Sequence, residues 1–377
     1  MQFLLSAGEA SADTYGAQLI QALRQLAPNA SFFGMGGTKM QSAGCDLQVH
    51  ASEVSVVGLA EVVTHLPAIR QRFKSLLAAA ARRKPDAAVL IDFPDFNLRL
   101  ARELHKLGIA VFYFVSPQVW AWRTGRVKQI KKYVRKMIVI FPFEQEFYRR
   151  HGVEVTYVGH PLAHLSDPDI AREEFAVRHG LNAGKQWIAL LPGSRRKEVR
   201  LNLPAMIRAA QLLQKDGDQF EFMLPLASTL DKGWMLSQLA GAQLPVHITD
   251  GARATMMLSR ASIVASGTAT VEAALSGTPF VVVYRLSPLT WIMGRRLVSL
   301  NTFAMANLIA EKKVVPELIQ ADFTPEAVLR ELQRIIPEGA ARSQMQHDLI
   351  EVRRRLHDSE NAEAPALRAA RAIVSEI

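Results

Sequence analysis

Short, almost continuously apolar runs alternate with helical patterns along most of the chain. Strands that are apolar on both faces are typical of parallel sheets, which helices cover on both sides. The alternation therefore predicts an α/β fold made of βαβ units. The predicted strands are MQFLLSA (1–7), ASFFGMGG (30–37), DAAVLIDF (86–93), AVFYFV (110–115), KMIVIF (136–141), VEVTYVG (153–159), KQWIALLPGS (185–194), FEFMLPLA (220–227), LPVHITD (244–250), ASIVAS (261–266) and PFVVVYR (279–285).

The rhythm breaks at residues 160–175, which contain two prolines and several polar residues. Because 377 residues are enough for two domains, we predict one α/β domain at 1–165 and a second at 166–340. The Ala/Arg-rich stretch 341–377 is predicted to be a helical tail that crosses to the first domain or to a partner subunit. Two such halves imply an interdomain cleft, with ligands bound beyond the carboxyl ends of the strands.

Composition narrows the class of protein. Hydrophobic residues make up 49% and charged residues 21%, as in folded globular proteins. The single cysteine, Cys45, excludes an internal disulfide and indicates a reducing compartment. The N-terminus lacks a positive signal-peptide region, and no apolar run is long enough to span a bilayer, so we expect a cytoplasmic protein. One cysteine and ten scattered histidines predict no metal cluster. A net charge of +10 favours an anionic partner: nucleic acid, acidic lipid or a phosphorylated substrate.

Two strand-to-helix turns in the second half have features of an anion site. In LLPGSRRKEV (190–199) the turn leads into a helix start that carries Ser194, Arg195 and Glu198. Free N–H groups and an arginine suit a phosphate, although a plain β–α turn with a surface arginine explains the pattern too. In VASGTATVEAALSGTP (264–279) small and hydroxyl residues precede a glutamate that could accept both ribose hydroxyls, and N-capping is the alternative. Its candidate residues are Ser266, Gly267, Thr268 and Glu272.

The first half has three corresponding turns. SAGEASAD (6–13) supplies Gly8, Glu9, Ser11 and Asp13, and Ser11 or Asp13 is expected to cap the helix that follows. In IDFPDFN (91–97) two carboxylates follow an apolar strand. A charge in such surroundings destabilises the folded protein unless it is hydrogen-bonded, and a functional role is the other reason to place it there. We predict that Asp92 faces the cleft and that Asp95 caps a helix beginning at Phe96. SPQVWAWR (116–123) adds Trp120, Trp122 and Arg123 at a strand end.

Two segments are candidates for contact with a membrane. The first segment, residues 53–73, is strongly apolar. A buried helix and an interfacial helix with a basic flank explain this pattern equally well. Its candidate residues are Val62, Val63 and Leu66. The second is a helix with a basic face, for which solvated surface and nucleic-acid binding are the alternatives. That face is predicted to comprise Lys128, Lys131, Lys132 and Arg135.

The motifs, taken in order, resemble those of lipid-A-disaccharide synthases over about residues 4–320. They are SAGEASAD, GMGGTKM, VVGLAEV, IDFPDFN, SPQVWAW, FPFE, YVGHP, LLPGSR, ASGTATVEAAL and NLIAEKKVVPELIQ. The resemblance implies a GT-B glycosyltransferase with two Rossmann-like domains. Such enzymes join UDP-2,3-diacylglucosamine to 2,3-diacylglucosamine 1-phosphate (lipid X), and form a β-1,6-linked disaccharide and UDP. It also implies a peripheral place on the inner face of the inner membrane of Gram-negative bacteria.

The resemblance also implies roles for particular residues. The family's essential aspartate falls on Asp92 and its essential arginine on Arg195. Its nucleotide-sugar contacts fall on Ser266, Gly267, Thr268, Glu272, Asn307 and Glu317. Ala12 and Ala306 replace a glycine and a proline that are usual in the family. No cofactor or metal is expected, nucleic acid is not an expected partner, and a homo-oligomer is compatible with the pattern.

Three rival functions share parts of this pattern. Another GT-B transferase acting on a lipid acceptor would share SGTATVEAA but not IDFPDFN together with SPQVWAW. A hexosamine epimerase of the same fold would need paired acids and a histidine near the donor sugar, a role for which His160 is the candidate. A nucleic-acid-binding α/β protein is supported by the positive charge alone.

Overall fold

The structure is a computed structural model. It describes residues 1–54, 59–120, 124–215, 217–286, 302, 304–357 and 363–377, with the backbone alone for 59–66 and 124. Within these ranges the chain forms two compact units. The first consists of Met1–His164 and Leu356–Ile377, and the second of Leu165–Arg355.

The described strands form two parallel sheets, one in each unit. The sheet orders are β3-β2-β1-β4-β5-β6-β7 and β10-β9-β8-β11-β12-β13. The strands are β1 (Gln2–Ala7), β2 (Ser31–Gly36), β3 (Cys45–His50), β4 (Ala87–Ile91), β5 (Ala110–Phe114), β6 (Lys136–Val139), β7 (Val155–Tyr157), β8 (Gln186–Leu191), β9 (Phe220–Pro225), β10 (Val246–Thr249), β11 (Ala261–Ala265), β12 (Phe280–Tyr284) and β13 (Glu317–Ile319).

Helices connect the strands, as parallel pairing requires. The described helices are α1 (Ala10–Leu26), α2 (Thr38–Ser42), α3 (Leu59–Arg83), α4 (Pro94–Lys106), α5 (Val127–Tyr133), α6 (Pro142–Arg150), α7 (Arg172–His179), α8 (Arg196–Gln214), α9 (Lys232–Leu239), α10 (Ala252–Met257), α11 (Ala269–Ser276), α12 (Met305–Ala310), α13 (Pro325–Ile335), α14 (Ala340–His357) and α15 (Pro365–Val374).

The first sheet is covered on both faces. Side chains alternate between the faces of a strand, so Phe3 and Leu5 of β1 belong to one apolar cluster and Leu4 to the other. The C-terminal helix α15 packs with α1, and its Ile373 is buried in the same cluster as Phe3. The last residues of the chain therefore complete the core of the first unit.

The central strands of the second sheet are also buried. Strand β8 is buried from Trp187 to Leu191, and β12 is buried from Phe280 to Val283. Strands with no polar face are stable only between two layers of helices. The continuous apolar runs of the sequence follow directly from this burial.

The predicted fold class is confirmed: both units are α/β with parallel strands. Two strands, β3 and β13, were not predicted. The units also divide the predicted tail 341–377, since residues up to Arg355 lie in the second unit and those from Leu356 onward in the first. Among the described residues, no helix combines the length and apolar character that a membrane span needs.

Candidate active site

The predicted site loops follow strands at the point where the strand order of each sheet reverses. In the first sheet β1 and β4 are neighbours although they are distant in sequence, and in the second β8 and β11 are neighbours. Such switch points leave a crevice at the carboxyl ends of the two strands, where α/β proteins bind ligands. The segments SAGE and DFPDF lie at the carboxyl ends of β1 and β4, and PGSRRKE and SGTATVE lie at those of β8 and β11.

Asp92 follows β4 in a backbone conformation that few residues other than glycine adopt. Its φ is 48° and that of Phe93 is 51°, which costs about 1–3 kcal/mol for each residue. The amide of Asp92 donates to the carbonyl of Phe114 at 3.1 Å. Its carbonyl accepts from Asn97 Nδ2 at 2.8 Å and from the Tyr113 hydroxyl at 2.6 Å. Three hydrogen bonds thus hold this half-buried residue in place.

Asn97 was not predicted to matter, yet its fully buried amide ties two strand ends together. Its Nδ2 also donates to the carbonyls of Ser6 and Ile91, and its Oδ1 accepts from the Ser6 hydroxyl at 2.6 Å. A buried amide with these partners joins the end of β1 to the end of β4. The only sequence signal is a polar residue on the apolar face of an amphipathic helix.

Gly8 brings the loop after β1 against the loop after β4. A Cβ atom on Gly8 would lie 2.3 Å from a ring carbon of Phe93, so no larger residue fits without a shift. Glu9 is the N-cap residue of α1 but makes no side-chain capping bond, and Ser11 is half-buried in the first turn. Gly8 therefore lies against Phe93, the residue that follows Asp92.

Asp13 does not cap its own helix, contrary to the prediction for Ser11 or Asp13. Its carboxylate is buried and accepts backbone N–H groups of Gly37 at 2.7 Å, Lys39 at 3.1 Å and Met40 at 3.0 Å. These N–H groups belong to the start of α2, which has no carbonyls of its own to pair with them. Asp13 thus caps a neighbouring helix and is a structural residue.

The prediction for Asp95 was also wrong. Helix α4 begins at Pro94 with Phe93 as its N-cap, and Asp95 lies in the first turn. Its exposed carboxylate pairs with the guanidinium of Arg126. Only Asp92, of the two carboxylates, is held by the strand ends.

A buried polar cluster follows β5 and β6. Glu144, 1% exposed, accepts from Trp120 Nε1 at 3.1 Å and from the amide of Phe141 at 3.2 Å. Burial raises the pKa of Glu144 to about 8. The hydrogen bonds from Trp120 and Phe141 lower this pKa, but their effect is smaller than that of burial. Ser116 shares a 2.7 Å hydrogen bond with the Tyr148 hydroxyl. Trp120 is thereby fixed at its strand end, and Glu144 is a neutral acid around neutral pH.

His160 extends this cluster through Phe141, whose ring centroid lies 5.1 Å from that of His160. Burial lowers the pKa of His160 to about 3, so its imidazole is neutral. Its Nδ1 accepts from the amide of Leu162 at 3.2 Å. The bonding is that of a satisfied core histidine.

In the second unit, the turn after β8 is held by Glu198. The carboxylate accepts from the Ser194 amide at 3.1 Å and forms a 3.4 Å ion pair with Arg195. The Arg195 side chain is 50% exposed. The Thr229 hydroxyl, which sequence reasoning missed, donates to the Ser194 carbonyl at 2.6 Å. An anion at this helix start would meet a cation and an N–H group that Glu198 already engages.

Asn202 in α8 has the role in this unit that Asn97 has in the first. It is fully buried, donates to the Pro192 carbonyl at 3.0 Å and accepts from the Arg285 amide at 3.1 Å. The amide therefore ties the end of β8 to the end of β12. In each unit a buried asparagine thus links the ends of two strands.

The turn after β11 is open and rich in small residues. Gly267 has φ of 144°, and a Cβ atom there would meet open space. Thr268 is the N-cap of α11 but makes no side-chain capping bond, so the alternative of capping by Thr268 is wrong. Burial raises the pKa of Glu272 above its ordinary value, opposed by the charge of Arg253. Ser266 precedes this turn, and its amide donates to the carbonyl of Val283 at 2.9 Å.

Asn307 and Glu317 form a connected pair. Asn307 is buried; its Nδ2 donates to Glu317 Oε1 at 2.6 Å, and its Oδ1 accepts from the amides of Val314 and Val315. The Thr302 hydroxyl donates to the same carboxylate oxygen of Glu317. These bonds make Asn307 a support for Glu317.

The basic face of α5 is smaller than predicted. Lys128, Lys131 and Lys132 are exposed on α5, whereas Arg135 lies beyond its end and pairs with Glu376 at 3.1 Å. At three further candidate positions the structure describes the backbone alone: Val62, Val63 and Leu66. Trp122 and Arg123 lie outside the described residues. No cluster of metal-ligating side chains occurs among the residues that the structure describes.

The two sheets and their crevices define the class of protein. The chain is similar over its whole length to the glycotransferase of kitacinnamycin, with a TM-score of 0.65, 15% identity and 99% of that chain covered. It is also similar in fold to the UDP-GlcNAc 2-epimerase of Neisseria meningitidis, with a TM-score of 0.63, 12% identity, and coverage of 100% of this chain and 99% of that chain. The fold is GT-B, as predicted.

Sequence relatives make the assignment particular. A family model described as lipid-A-disaccharide synthetase matches residues 3–372. The lipid-A-disaccharide synthase of Koribacter versatilis is 54% identical over 100% of this chain and 98% of its own length. That of Myxococcus xanthus is 44% identical over 95% and 94%. The chain belongs to the lipid-A-disaccharide synthetase family, a family of glycosyltransferases in lipid A biosynthesis, and the predicted resemblance is confirmed.

Proposed function

We propose that the chain transfers the sugar of UDP-2,3-diacylglucosamine to lipid X with inversion, giving the β-1,6-linked disaccharide 1-phosphate and UDP. The family match over residues 3–372 is the observation that carries this proposal. The first unit binds the acceptor and the second the UDP-sugar. The primary hydroxyl of lipid X attacks the anomeric carbon, the bond to UDP breaks, and the proton passes to a base.

Asp92 is the proposed base. It lies at the switch point of the first sheet, where three hydrogen bonds hold its strained backbone. A strained residue held in this way is characteristic of functional sites. A carboxylate within reach of the acceptor hydroxyl takes its proton as the new glycosidic bond forms.

The leaving diphosphate is proposed to meet the start of α11 and the guanidinium of Arg195. Gly267 leaves the backbone open to close approach, and Thr268 leaves the first N–H groups of α11 without a side-chain cap. Helix N-termini favour anions. Arg195 adds a positive charge, which Glu198 orients through their ion pair.

Glu272 and Glu317 are proposed to bind hydroxyl groups of the donor. Glu272 is partly desolvated at the first turn of α11, where hydrogen bonds to ribose hydroxyls are stronger than in water. Glu317 is held by Asn307 and Thr302. Asn307 then acts by positioning Glu317.

The reaction is tested with both substrates and the purified protein. We expect thin-layer chromatography to show disaccharide 1-phosphate only when UDP-2,3-diacylglucosamine and lipid X are both present. We also expect EDTA to leave the rate unchanged, because the proposed steps use no metal. Product from UDP-GlcNAc with another lipid acceptor, or epimerised sugar without acceptor, would instead support a rival GT-B activity.

Both substrates carry acyl chains, so we propose that the protein binds the anionic inner face of the inner membrane peripherally. Among the described residues, the three exposed lysines of α5 are proposed to contribute to this attraction. Each lysine near an anionic surface contributes about 1 kcal/mol. Replacing Lys128, Lys131 and Lys132 with glutamine should weaken co-sedimentation with phosphatidylglycerol vesicles.

The matched control removes equal charge from the second unit, with glutamine at three exposed basic residues. These are Arg208, Lys215 and Arg330. Co-sedimentation of this control should equal that of the unchanged protein. Equal weakening in both triple variants would mean that overall charge, and not α5, governs the attraction.

A further inference from the structure

We propose that Tyr113 is a positioning residue for the transfer reaction: its buried hydroxyl holds the backbone of Asp92 and so aims the carboxylate at the acceptor hydroxyl. The inference rests on the proposed role of Asp92 as base. It adds a residue from a different strand, β5, that no motif in the sequence indicates.

Strain at the strand ends is the first observation. Asp92 and Phe93 after β4, and Val115 after β5, all have positive φ, of 48°, 51° and 62°. Asparagine, aspartate and glycine tolerate this region best, whereas a β-branched valine there is an outlier. Such conformations persist only where the surroundings impose them. Contacts that impose them at Asp92 therefore affect where its carboxylate lies.

The hydroxyl of Tyr113 is the shortest of these contacts. It donates to the Asp92 carbonyl at 2.6 Å, and Tyr113 is 0% exposed. Burial, reinforced by the charge of Asp92, holds the pKa of Tyr113 well above its ordinary value. The hydroxyl is therefore a donor throughout the pH range in which an enzyme works, and its single proton serves this carbonyl.

Asn97 does not make Tyr113 redundant. Its Nδ2 donates to the Asp92 carbonyl at 2.8 Å but also to the carbonyls of Ser6 and Ile91, both at 3.2 Å. One amide group shared among three carbonyls restrains each of them loosely. Asn97 joins the strands, while Tyr113 contributes a bond to Asp92 alone.

The test is Tyr113→Phe, which removes one oxygen atom and keeps the ring. Displacing a reacting group by about 1 Å costs up to about a hundred-fold in rate. We therefore expect kcat to fall between about ten-fold and about a hundred-fold. The KM values of both substrates and the dissociation constant of UDP should stay unchanged, because binding groups are untouched.

Tyr148→Phe is the matched control. Tyr148 is also 0% exposed, and its hydroxyl shares a 2.7 Å bond with Ser116. The control should lose stability like Tyr113→Phe but keep kcat. Tyr113→para-aminophenylalanine, which retains a donor, should recover most of kcat.

Each outcome decides the inference. A Tyr113→Phe enzyme with kcat within two-fold of the control overturns it, and so does an amino variant as slow as the phenylalanine variant. If Tyr113→Phe does not fold, Tyr113→para-methylphenylalanine takes its place as the variant without a donor. Asp92→Asn decides the base role separately: an inactive Asp92→Asn with an unimpaired Tyr113→Phe rejects the positioning role alone.

Discussion

Replacing Asp92 with asparagine is expected to abolish disaccharide formation without unfolding the protein. Loss of a general base costs roughly a hundred-fold to ten-thousand-fold in kcat. Asparagine has the shape of aspartate and tolerates the left-handed conformation that this position requires. Asn97 and Tyr113 donate to the Asp92 backbone carbonyl, and the substitution leaves both donors and this carbonyl in place. Folding should therefore be retained.

The measurement combines initial rates with radiolabelled lipid X, UDP binding by calorimetry and urea unfolding. UDP affinity should be close to that of the unchanged enzyme, because the second unit is unaltered. Asp95→Asn is the control three residues away, since its exposed carboxylate pairs with Arg126, and it should retain activity. An Asp92→Asn enzyme with normal turnover would remove the base from the mechanism.

Glu144 is expected to make the protein less stable as the pH rises from about 4.5 to about 8. Its ordinary pKa is 4.5 and burial raises it to about 8 in the folded protein. Within this window the unfolded chain has lost a proton that the folded protein retains. Stability must then fall with rising pH, by up to about 1.4 kcal/mol per pH unit. The contribution is complete below the unfolded value and lost as pH passes the folded value.

His160 has the opposite effect in a lower window. Burial lowers its pKa from 6.5 to about 3, so between these values the unfolded chain binds the extra proton. Stability from His160 is complete above 6.5 and is lost as the pH falls toward 3. The two groups therefore oppose each other between about 4.5 and 6.5. From 6.5 to 8 only the effect of Glu144 remains of the two.

Glu144→Gln isolates the acid, because the amide does not titrate. Trp120 and Phe141 donate to different oxygens of the Glu144 carboxyl group, so the single oxygen of glutamine keeps one of these bonds, and the loss of the other does not depend on pH. We expect the stability of the variant, relative to the unchanged protein, to increase by several kcal/mol between pH 4.5 and 8. Urea unfolding at pH 5, 6.5, 7.5 and 8.5 measures it. Glu146→Gln, exposed on the same helix, is the control for replacing a glutamate of this helix by glutamine and is measured at the same four pH values. A flat difference for Glu144→Gln would show that its carboxyl titrates normally.

Central and edge strands differed in how well they could be predicted. Central strands such as β8 and β12 are buried on both faces and appear as unbroken apolar runs. The strands that were missed, β3 and β13, are two of the four edge strands and contain polar residues such as Asp46 and Glu317. The other two edge strands, β7 and β10, were predicted. An edge strand has one neighbour and less apolar cover, so its sequence carries less of the signal.

The candidate site shows the same division. The turns after β4, β8 and β11 were found because turn residues and helix starts are local features. The partners of Asp13, Arg135 and Glu198 were not found. Asp13 binds the start of α2, Arg135 binds Glu376 near the end of the chain, and Glu198 binds the amide of Ser194. From the sequence alone, each of these side chains could equally have capped a helix, been exposed on the surface or bound a ligand.

The amino-acid sequence alone determined the α/β class, the main strands and the positions of the loops, since periodicity and turn chemistry depend on residues close together in the chain. The resemblance of its motifs, taken together, indicated the family. Only the tertiary structure decided that Tyr113 and Asn97 hold Asp92, that Glu144 is buried beside Trp120, and that α15 completes the first core. Burial and hydrogen-bond geometry arise when distant segments pack, and no local pattern specifies which donor meets which acceptor.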